Sequence, residues 1–419
     1  MNSKIKIPQC RFCDHPLEQT FVDLGMSPLS NAYLSVDRLQ NAEKFYPLHT
    51  YVCGNCWLVQ LEEFESPTEI FSDYAYFSSY SATWLHHAQE YTEKMIAKFG
   101  FDKTSQVMEI ASNDGYLLQY FQQQGVPVLG IEPAVNVAEV AIKKGISTLI
   151  KFFGINTAKE LLAQDKQADL LLGNNVLAHV PDLHDFVEGM KIVLKNSGVI
   201  TMEFPHLLQL IQEQQFDTIY HEHFSYLSLL TVVDIFASHE LRIFDVEELS
   251  THGGSLRIYA CHQGEDSYQI TDRLQLLKQK EIEAGLQRIE TYQGFAAQVR
   301  DTKRQLLQCL IDLKQQGKTI VGYGAAAKGN TLLNYCGIRG DFLDYVCDRS
   351  PHKQGLFLPG THLPIEPPEK ISETKPDYVL ILPWNIKAEV MTQLDYIRSW
   401  GGKFIIPIPK VEIVGGSEK

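Results

Sequence analysis

The sequence predicts an α/β protein built from a small amino-terminal zinc module, a Rossmann-like domain and a second Rossmann-like domain at the carboxyl end. Three observations predict this fold class. Two Cys-x-x-Cys pairs lie within the first 56 residues. Residues 107–133 have the pattern strand, loop, helix, strand, and residues 318–348 repeat that order. Short apolar runs that alternate with helical segments are typical of open, mostly parallel sheets covered by helices.

Composition and charge narrow the class of function. Lys and Arg number 37 against 51 Asp and Glu, a formal charge of −14, whereas a general nucleic-acid binder needs a basic face. The chain contains no run of eighteen apolar residues, and its first ten residues contain no apolar stretch of signal-peptide length. We therefore expect a cytoplasmic protein with no membrane or nucleic-acid partner, acting on a small molecule, and we favour a monomer.

The two cysteine pairs predict a structural zinc site. Cys10 with Cys13 and Cys53 with Cys56 form two knuckles separated by a segment of small-domain length. Four thiolates complete a tetrahedral zinc site and leave no position for a reactive water, so the metal is expected to hold a small fold together. The alternatives are fortuitous pairs or redox dithiols, although a redox Cys-x-x-Cys usually opens a helix after a strand.

The first Rossmann-like unit predicts a site for a cationic nucleoside cofactor. Glu132 follows its second strand, where a carboxylate suits the hydroxyls of a ribose in NAD or S-adenosylmethionine. The loop between strand and helix lacks the glycine run that a pyrophosphate needs and contains Asp114. An acid favours the sulfonium and ammonium of S-adenosylmethionine, and hence a class I methyltransferase core. Gly173, Asn174 and Asn175 follow a later buried strand, at the edge where ligands bind in open α/β sheets.

Two further features near the first Rossmann-like unit, residues 71–81 and His179, can each be interpreted in two ways. Residues 71–81 are dense in aromatic and hydroxyl side chains, which suits either an aromatic core or a loop over the cofactor. His179 either contributes to the site or caps the helix predicted to begin near Asp182.

Tyr220-His-Glu-His223 places four proton-handling groups in one short span. A metal protease is disfavoured because its helical motif needs histidines four residues apart, and these are two apart. A second metal site and a polar surface loop remain alternatives. In an extended segment His221 and His223 would share one face, away from Tyr220 and Glu222, unless the chain turns. A histidine is suited to removing a moderately acidic carbon-bound proton.

The second Rossmann-like unit predicts a phosphate-binding loop. Gly322-x-Gly324-x-x-Ala327 follows an apolar strand, and Lys328 lies at the start of the next helix. This loop contains no acid. The pattern suits a nucleotide sugar and NAD about equally well.

Taken together, the chain resembles the zinc-containing sugar-nucleotide C-methyltransferases, which methylate C3 of dTDP-4-keto-deoxyhexoses. The resemblance covers nearly the whole chain. It depends on the two cysteine pairs and on the following segments: Tyr76–Ser81, Glu109–Gly115, Asn175–Pro181, Tyr220–His223, Thr251–Arg257 and Gly322–Asn330. Ala111 is a departure, since many class I methyltransferases have glycine there.

The resemblance implies roles for individual residues. His223 would be the base, Glu222 and Tyr220 would orient it or stabilise the enolate oxygen, and Tyr76 and His179 would close the site. The expected cofactor-binding residues are Glu109, Ala111, Asn113, Asp114, Gly115, Glu132, Pro133, Asn174 and Asn175. The expected substrate-binding residues are Gly322, Gly324, Lys328, Asn330, Arg349, His352 and Lys353.

We predict a zinc-binding module at 1–70, an S-adenosylmethionine-dependent methyltransferase domain at 71–260, a helical connector at 261–317 and a sugar-nucleotide-binding domain at 318–419. The predicted function is methylation at C3 of a dTDP-4-keto-deoxysugar through a base-generated enolate. The alternative is an NAD-linked protein, or a non-catalytic nucleotide-sugar-binding protein, on the same fold.

Overall fold

The computed structural model describes residues 7–71 and 77–415. None of the helices in these residues has both the length and the apolar character needed to span a membrane. The strands are β1 (Gln19–Ser27), β2 (Tyr46–Val52), β3 (Val59–Leu61), β4 (Val107–Ile110), β5 (Val128–Ile131), β6 (Thr148–Leu149), β7 (Ala168–Asn174), β8 (Leu194–Pro205), β9 (Ser225–Tyr226), β10 (Leu241–Leu249), β11 (Ser255–His262), β12 (Ile320–Tyr323), β13 (Val346–Cys347), β14 (Ile365–Glu366), β15 (Tyr378–Ile381), β16 (Lys403–Ile406) and β17 (Glu412–Val414).

The helices are α1 (Pro67–Phe71), α2 (Ala82–Phe99), α3 (Leu118–Gln123), α4 (Val135–Lys143), α5 (Ile155–Leu162), α6 (Leu183–Val193), α7 (Leu207–Gln212), α8 (Leu229–Ala237), α9 (Asp272–Glu283), α10 (Ile289–Gln293), α11 (Phe295–Gln315), α12 (Ala327–Cys336), α13 (Glu369–Thr374) and α14 (Lys387–Gln393). The predicted α/β class is confirmed. Tyr76 lies outside the described residues.

The chain forms two compact units that are interleaved in sequence. Unit 1 consists of the described residues up to Glu18, Val52–Leu208 and Phe224–Gln287. Unit 2 consists of Gln19–Tyr51, Gln209–His223 and the described residues from Arg288 onward. The predicted domain boundaries at 70, 260 and 317 stay a prediction about which segments fold separately.

Unit 1 is built on a seven-stranded sheet in the order β10-β11-β8-β7-β4-β5-β6. Strand β4 pairs in parallel with β5 and β7, and β8 pairs in parallel with β7. The antiparallel strands β11 and β10 complete one edge. Since parallel strands end at the same edge of a sheet, the residues that follow β4, β5 and β7 lie side by side.

Helix α2 shows how local sequence signals set the boundaries of unit 1. The side chain of Ser81 accepts a hydrogen bond from the Trp84 N–H at its start, and Gly100 follows its end with φ 71°. Tyr91 and Met95 lie in the same buried cluster as Val107 of β4. Local sequence signals therefore set both ends of Ala82–Phe99.

Unit 2 is built on a six-stranded sheet in the order β14-β13-β12-β15-β16-β17. Its strands are parallel as far as β16, and β17 pairs antiparallel to β16. Read from the opposite edge, unit 1 has the same arrangement in β6-β5-β4-β7-β8-β11, including an antiparallel last strand. Strand β12 is therefore the counterpart of β4, and β13 is the counterpart of β5.

Candidate active site and zinc centre

The four predicted zinc ligands come together in unit 1. The sulfur atoms of Cys10, Cys13, Cys53 and Cys56 all lie within 4.8 Å of one another. The Cys10–Cys56 and Cys13–Cys53 sulfur distances are both 3.5 Å. Zinc–sulfur bonds of about 2.3 Å in a tetrahedron would place sulfurs about 3.8 Å apart, so the cluster has the size of a zinc site.

Matching backbone turns present both cysteine pairs. The Asp14 N–H donates to the Cys10 carbonyl, and the Trp57 N–H donates to the Cys53 carbonyl, at 3.0 and 3.1 Å. Both donor residues have positive φ, which brings the chain around the metal. The Gln60 amide is 3.2 Å from the Cys10 sulfur, so a neutral donor supports that thiolate.

Arg11 ties this knuckle to the rest of unit 1. Its guanidinium donates to the Pro181 carbonyl at 2.8 Å and to the Leu61 carbonyl. It also lies 5.5 Å from the centroid of the Phe224 ring. Burial lowers the pKa of Arg11 to about 10, which leaves the side chain charged at neutral pH.

The loop after β4 contains several residues with positive φ and is held by a backbone hydrogen bond to β5. Ala111 and Asn113 have φ of 55° and 50°, and Gly115 has φ 76°. The Ala111 N–H donates to the Ile131 carbonyl at 2.8 Å. A Cβ on Gly115 would lie 2.3 Å from the Ile146 side chain, so space and backbone conformation both require glycine there.

Glu132 directly follows β5, and its role as a ribose acceptor stays a prediction. Its two carboxylate oxygens accept the N–H groups of Asn113 and Ala134, both at 2.9 Å. Burial raises the pKa of Glu132, while the two backbone donors favour its ionised form. A carboxylate has about four acceptor positions, so two backbone bonds leave room for a ligand hydroxyl.

Asp114 is also buried, with 1 % of its surface exposed. One oxygen, Oδ2, accepts the Ser79 hydroxyl and lies 3.3 Å from the Lys144 ammonium. The other, Oδ1, has no hydrogen-bond partner within residues 7–71 and 77–415. The chain therefore already supplies one cation to Asp114, a contact that sequence reasoning did not anticipate, and one acceptor atom stays available.

Further buried polar atoms surround the same sheet edge. Both amide atoms of Asn174 and Oδ1 of Asn175 have no hydrogen-bond partner in the described part of the chain. Glu109 is fully buried, and burial together with the neighbouring Glu132 and Asp114 raises its pKa well above the usual range, with the nearby Tyr116 hydroxyl acting in the opposite direction. Unused acceptors and three carboxyl groups fit a ligand that carries hydroxyls and positive charge, as S-adenosylmethionine does.

Residues 77–81 border this loop. The Ser78 N–H donates to Oδ1 of Asn113 at 2.9 Å, next to the Ser79–Asp114 bond. The alternative of a plain aromatic core does not describe this part of the segment, since its contacts to the loop are polar. His179 ends the short turn Leu177–His179 and is half-buried. The side chain of Asp182, and not that of His179, caps α6.

In unit 2, Tyr220-His-Glu-His223 forms a turn. The His223 N–H donates to the Tyr220 carbonyl at 2.9 Å, and the Tyr220 hydroxyl lies 2.8 Å from His223 Nε2. His223 Nδ1 lies 2.8 Å from the Thr218 carbonyl. Because a carbonyl only accepts, Nδ1 carries a proton, and Nε2 of the neutral ring is the acceptor that faces Tyr220. The strand-like alternation of this segment is therefore not observed.

The neighbouring side chains differ in their surroundings. His221 Nε2 is 3.2 Å from the Pro47 carbonyl, so the two histidines do not form one cluster. The amide of Asn31 donates to Glu222 at 2.6 Å. Burial raises the pKa of Glu222 to about 7, although Asn31 and the Lys353 ammonium favour the ionised form.

The glycines of the second loop are required by the fold itself. Gly324 has φ 95°, and a Cβ there would lie 2.4 Å from the Pro383 ring. A Cβ on Gly322 would lie 2.8 Å from Val346. Packing within unit 2 therefore accounts for both glycines without a ligand.

Lys328 is the second residue of α12, and its ammonium lies 5.3 Å from the Trp384 ring centroid. Burial lowers the pKa of Lys328, and the charge of Asp217 opposes that effect. Asp217 accepts the indole N–H of Trp384 at 2.7 Å, and burial raises its pKa to about 6. Sequence reasoning did not identify Asp217.

Lys353 and Tyr33 converge on the backbone of the second loop. Both donate to the Ala325 carbonyl, at 2.9 and 2.7 Å. Arg349 and His352 are exposed on the following turn. The Nδ2 atom of Asn330 is buried and has no hydrogen-bond partner among the residues described. Tyr33 and Asn31 come from a segment between the cysteine pairs that carries no recognisable motif.

Three family models match the chain: "Putative zinc binding domain" at residues 10–71, "Methyltransferase domain" at residues 84–246 and "C-methyltransferase C-terminal domain" at residues 250–409. C-methyltransferase NovU of Streptomyces niveus is 33 % identical to this chain over 408 residues, which is 97 % of each protein.

Solved methyltransferase structures also match part of the chain. One is an S-adenosylmethionine-dependent methyltransferase from Clostridium acetobutylicum, with 11 % identity and a TM-score of 0.33, covering 42 % of this chain and 91 % of that one. Another is the magnesium protoporphyrin IX methyltransferase ChlM of Synechocystis PCC 6803, with 13 % identity and a TM-score of 0.32, covering 42 % and 79 %.

The sheet of unit 1 and the matching methyltransferase-domain model define a class I methyltransferase that uses S-adenosylmethionine. The four clustered cysteines are the metal site of its zinc-binding domain. The chain belongs to the C-methyltransferase family, which also contains NovU.

Proposed function

We propose that this C-methyltransferase acts at C3 of a dTDP-4-keto-deoxysugar, through an enolate formed by the Tyr220–His223 pair. The observation that carries the proposal is the fixed tautomer of His223, whose Nδ1–H is directed to the Thr218 carbonyl while Nε2 is left as a proton acceptor. Methylation at carbon needs such an acceptor because a C–H bond must be broken first.

The keto group at C4 makes the C3 hydrogen acidic. His223 Nε2 takes that proton, and the C–H electron pair moves into an enolate whose oxygen was the ketone. When bound, S-adenosylmethionine supplies a methyl group on positively charged sulfur. The enolate carbon would take this methyl group as the carbon–sulfur bond breaks, with the electron pair of that bond left on sulfur. The Tyr220 hydroxyl, 2.8 Å from Nε2, orients the imidazole or donates to the enolate oxygen.

Other side chains have proposed supporting roles. Glu222, held by Asn31, orients His223 or stabilises the enolate oxygen. For His179 and Tyr76, a role in closing the site stays the prediction that the resemblance implies. In unit 1, Glu132 accepts the cofactor's ribose hydroxyls, and the unused oxygen of Asp114 accepts its ammonium group. Glu109, Ala111, Asn113, Gly115, Pro133, Asn174 and Asn175 form the remainder of the proposed cofactor site.

A difference in charge between the two units supports a nucleotide sugar in unit 2. Gly322 in β12 is the counterpart of Glu109 in β4. Each lies two residues before the residue whose N–H donates to the end of the next strand, which is Ala111 in unit 1 and Gly324 in unit 2. Unit 2 therefore has a glycine where unit 1 has an acid. The loop 324–327 contains no acid, and Lys353 bonds to it directly. This loop suits an anionic diphosphate, which we assign to Gly322, Gly324, Lys328, Asn330, Arg349, His352 and Lys353.

Solvent exchange tests this mechanism. With S-adenosylhomocysteine bound, methyl transfer is blocked, and the wild-type enzyme should exchange the C3 hydrogen of a dTDP-4-keto-deoxysugar with deuterated solvent. The His223→Ala variant should lose exchange and methylation by roughly two to four orders of magnitude. His221→Gln is the matched control, since its ring is bonded to the Pro47 carbonyl, and exchange should persist in it.

Absence of exchange in the wild type would exclude the enolate route. Persistence of exchange in His223→Ala would transfer the base role to another group. Incubation of the wild type with labelled S-adenosylmethionine and a panel of 4-keto nucleotide sugars separates this function from a non-catalytic or NAD-linked one, which would incorporate no label.

A further inference from the structure

The acid at the tip of β13 repeats the hydrogen bonding of Glu132. Asp348 follows β13, the counterpart of β5, and its Oδ2 accepts the Ala325 N–H at 2.8 Å. Its Oδ1 accepts the Ser350 N–H, also at 2.8 Å. In both units, therefore, one donor belongs to the loop after the first strand, and the other lies two residues beyond the acid.

The two backbone donors leave acceptor positions on Asp348. An ionised carboxylate offers about four lone-pair sites, of which two are used here. The side chain is 15 % exposed, so a ligand can reach it. The Lys353 ammonium lies 3.8 Å from Oδ2.

The surroundings of Asp348 differ from those of Glu132 in charge. Asp114 and Glu109 border the loop of unit 1, whereas residues 324–327 are one glycine and three alanines. The backbone N–H of Asn330 donates to the Ala326 carbonyl of this loop, and its side-chain amide is a buried donor with no partner in the described part of the chain. A neutral loop, a donor amide and a lysine suit an anionic ligand, while the acid itself suits a hydroxyl.

From these contacts we infer that Asp348 accepts a hydrogen bond from a pentose hydroxyl of the nucleotide in unit 2, and so selects and orients that nucleotide. The inference rests on the proposed function, because it takes the ligand of unit 2 to be a nucleoside diphosphate sugar. A thymidine pentose has one free hydroxyl when its 5′ oxygen carries the diphosphate, so the 3′-hydroxyl is the partner.

A comparison of two ligands tests the inference without disturbing the fold. Calorimetry should show that the wild-type protein binds dTDP roughly ten- to a hundredfold more tightly than 3′-deoxythymidine diphosphate, as expected for loss of a hydrogen bond to a charged group. The Asp348→Ala variant should bind both ligands with the same, weaker affinity. S-adenosylhomocysteine affinity should be unchanged in that variant. The control Asp344→Ala changes an exposed acid before β13 and should retain the discrimination.

The outcomes separate the two ideas. Wild-type protein that binds dTDP and its 3′-deoxy analogue equally well would overturn the role of Asp348 and leave the proposed function in place. Wild-type protein that binds neither ligand, while S-adenosylhomocysteine binds, would overturn the proposed nucleotide sugar and the inference with it.

Discussion

Two buried carboxyl groups in unit 2, those of Glu222 and Asp217, have pKa values above the usual range. Burial raises the pKa of Glu222 to about 7 and that of Asp217 to about 6, and both residues lie in the short segment Gln209–His223. Each group therefore keeps its proton to higher pH in the folded protein than in the unfolded chain. Both groups therefore make the stability of the protein depend on pH.

We expect Glu222→Gln to remove part of that response. In the wild type the unfolded state loses the Glu222 proton near pH 4.5 and the folded state near pH 7, so the unfolding free energy falls as pH rises through this window. The fall is on the order of 3 kcal/mol for a shift of this size. Glutamine keeps the acceptor for Asn31 and has no proton to lose.

Thermal denaturation at pH 5 and pH 8 measures the effect. The drop in Tm between the two pH values should be smaller in Glu222→Gln than in the wild type. Glu373→Gln is the control, because that side chain is 66 % exposed and lies in the same unit. An equal drop in wild type and Glu222→Gln would show that Glu222 ionises similarly in the folded and unfolded states.

At the scale of elements, the loops that follow β4 and β12 have different residues at one equivalent position, Ala111 in the first and Gly324 in the second. Ala111 and Gly324 both donate to the carbonyl of the residue before the tip acid, and both have positive φ, 55° and 95°. Alanine at 111 bears the cost of a left-handed conformation, about 1–2 kcal/mol. Gly324 bears none, and it has Pro383 where a side chain would go.

Opposite substitutions should therefore have opposite effects. Ala111→Gly should stabilise unit 1 by roughly 0.5–1 kcal/mol, since the relief of strain exceeds the added backbone entropy of glycine. Gly324→Ala should destabilise unit 2 by about 2 kcal/mol or more because of the clash with Pro383. Denaturant unfolding followed by circular dichroism checks both.

The control is Gly317→Ala, where φ is 71° and a Cβ would meet nothing within 4 Å. That variant reports the cost of backbone conformation alone, about 1 kcal/mol. If Gly324→Ala is as stable as Gly317→Ala, the Pro383 ring moves aside at little cost, and the predicted effect of the clash is wrong.

The structural role of the two zinc knuckles can be tested by removing one of the four cysteines. Metal analysis should find about one zinc per chain, and Cys53→Ser should lower the free energy of unfolding by several kcal/mol because zinc binding is coupled to folding. At a temperature low enough for the variant to stay folded, its rate of methyl transfer should remain close to that of the wild type, because the four-cysteine site takes no part in the reaction. Cys309→Ser, a half-buried cysteine of α11, should keep both zinc and stability. A Cys53→Ser protein of wild-type stability would contradict a structural role for the metal.

At the scale of the whole molecule, the sequence predicted what depends on neighbours along the chain. The loop after β4 and the two Cys-x-x-Cys knuckles both follow from spacing within short segments. The Asn31–Glu222 bond joins residues 191 apart, and the Tyr33–Ala325 bond joins residues 292 apart. No periodicity in one segment reports such pairs, so Asn31, Tyr33 and Asp217 were missed.

The interleaving of the units predicts that unit 2 cannot be isolated by one cut. In the fragment 288–415, Phe295 would lose its stacked partner Phe21, at 4.5 Å, and Thr331 would lose the Ile219 carbonyl, at 3.0 Å. We expect this fragment to show no cooperative thermal transition. A fusion that adds 19–51 and 209–223 through flexible linkers should recover one. A sharp transition in the fragment alone would show that its own sheet is sufficient.

The order in which the ribosome delivers these segments has a consequence for biosynthesis. Both cysteine pairs have emerged by residue 56, so the metal site can close early. About 240 residues separate residues 19–51 from the last and longest segment of unit 2, which begins at Arg288. At 5–20 residues per second this separation is a delay of roughly 12 to 50 seconds. During that time Phe21 of β1 lacks its stacked partner Phe295, while the metal ligands on either side of residues 19–51 hold the two ends of this segment together.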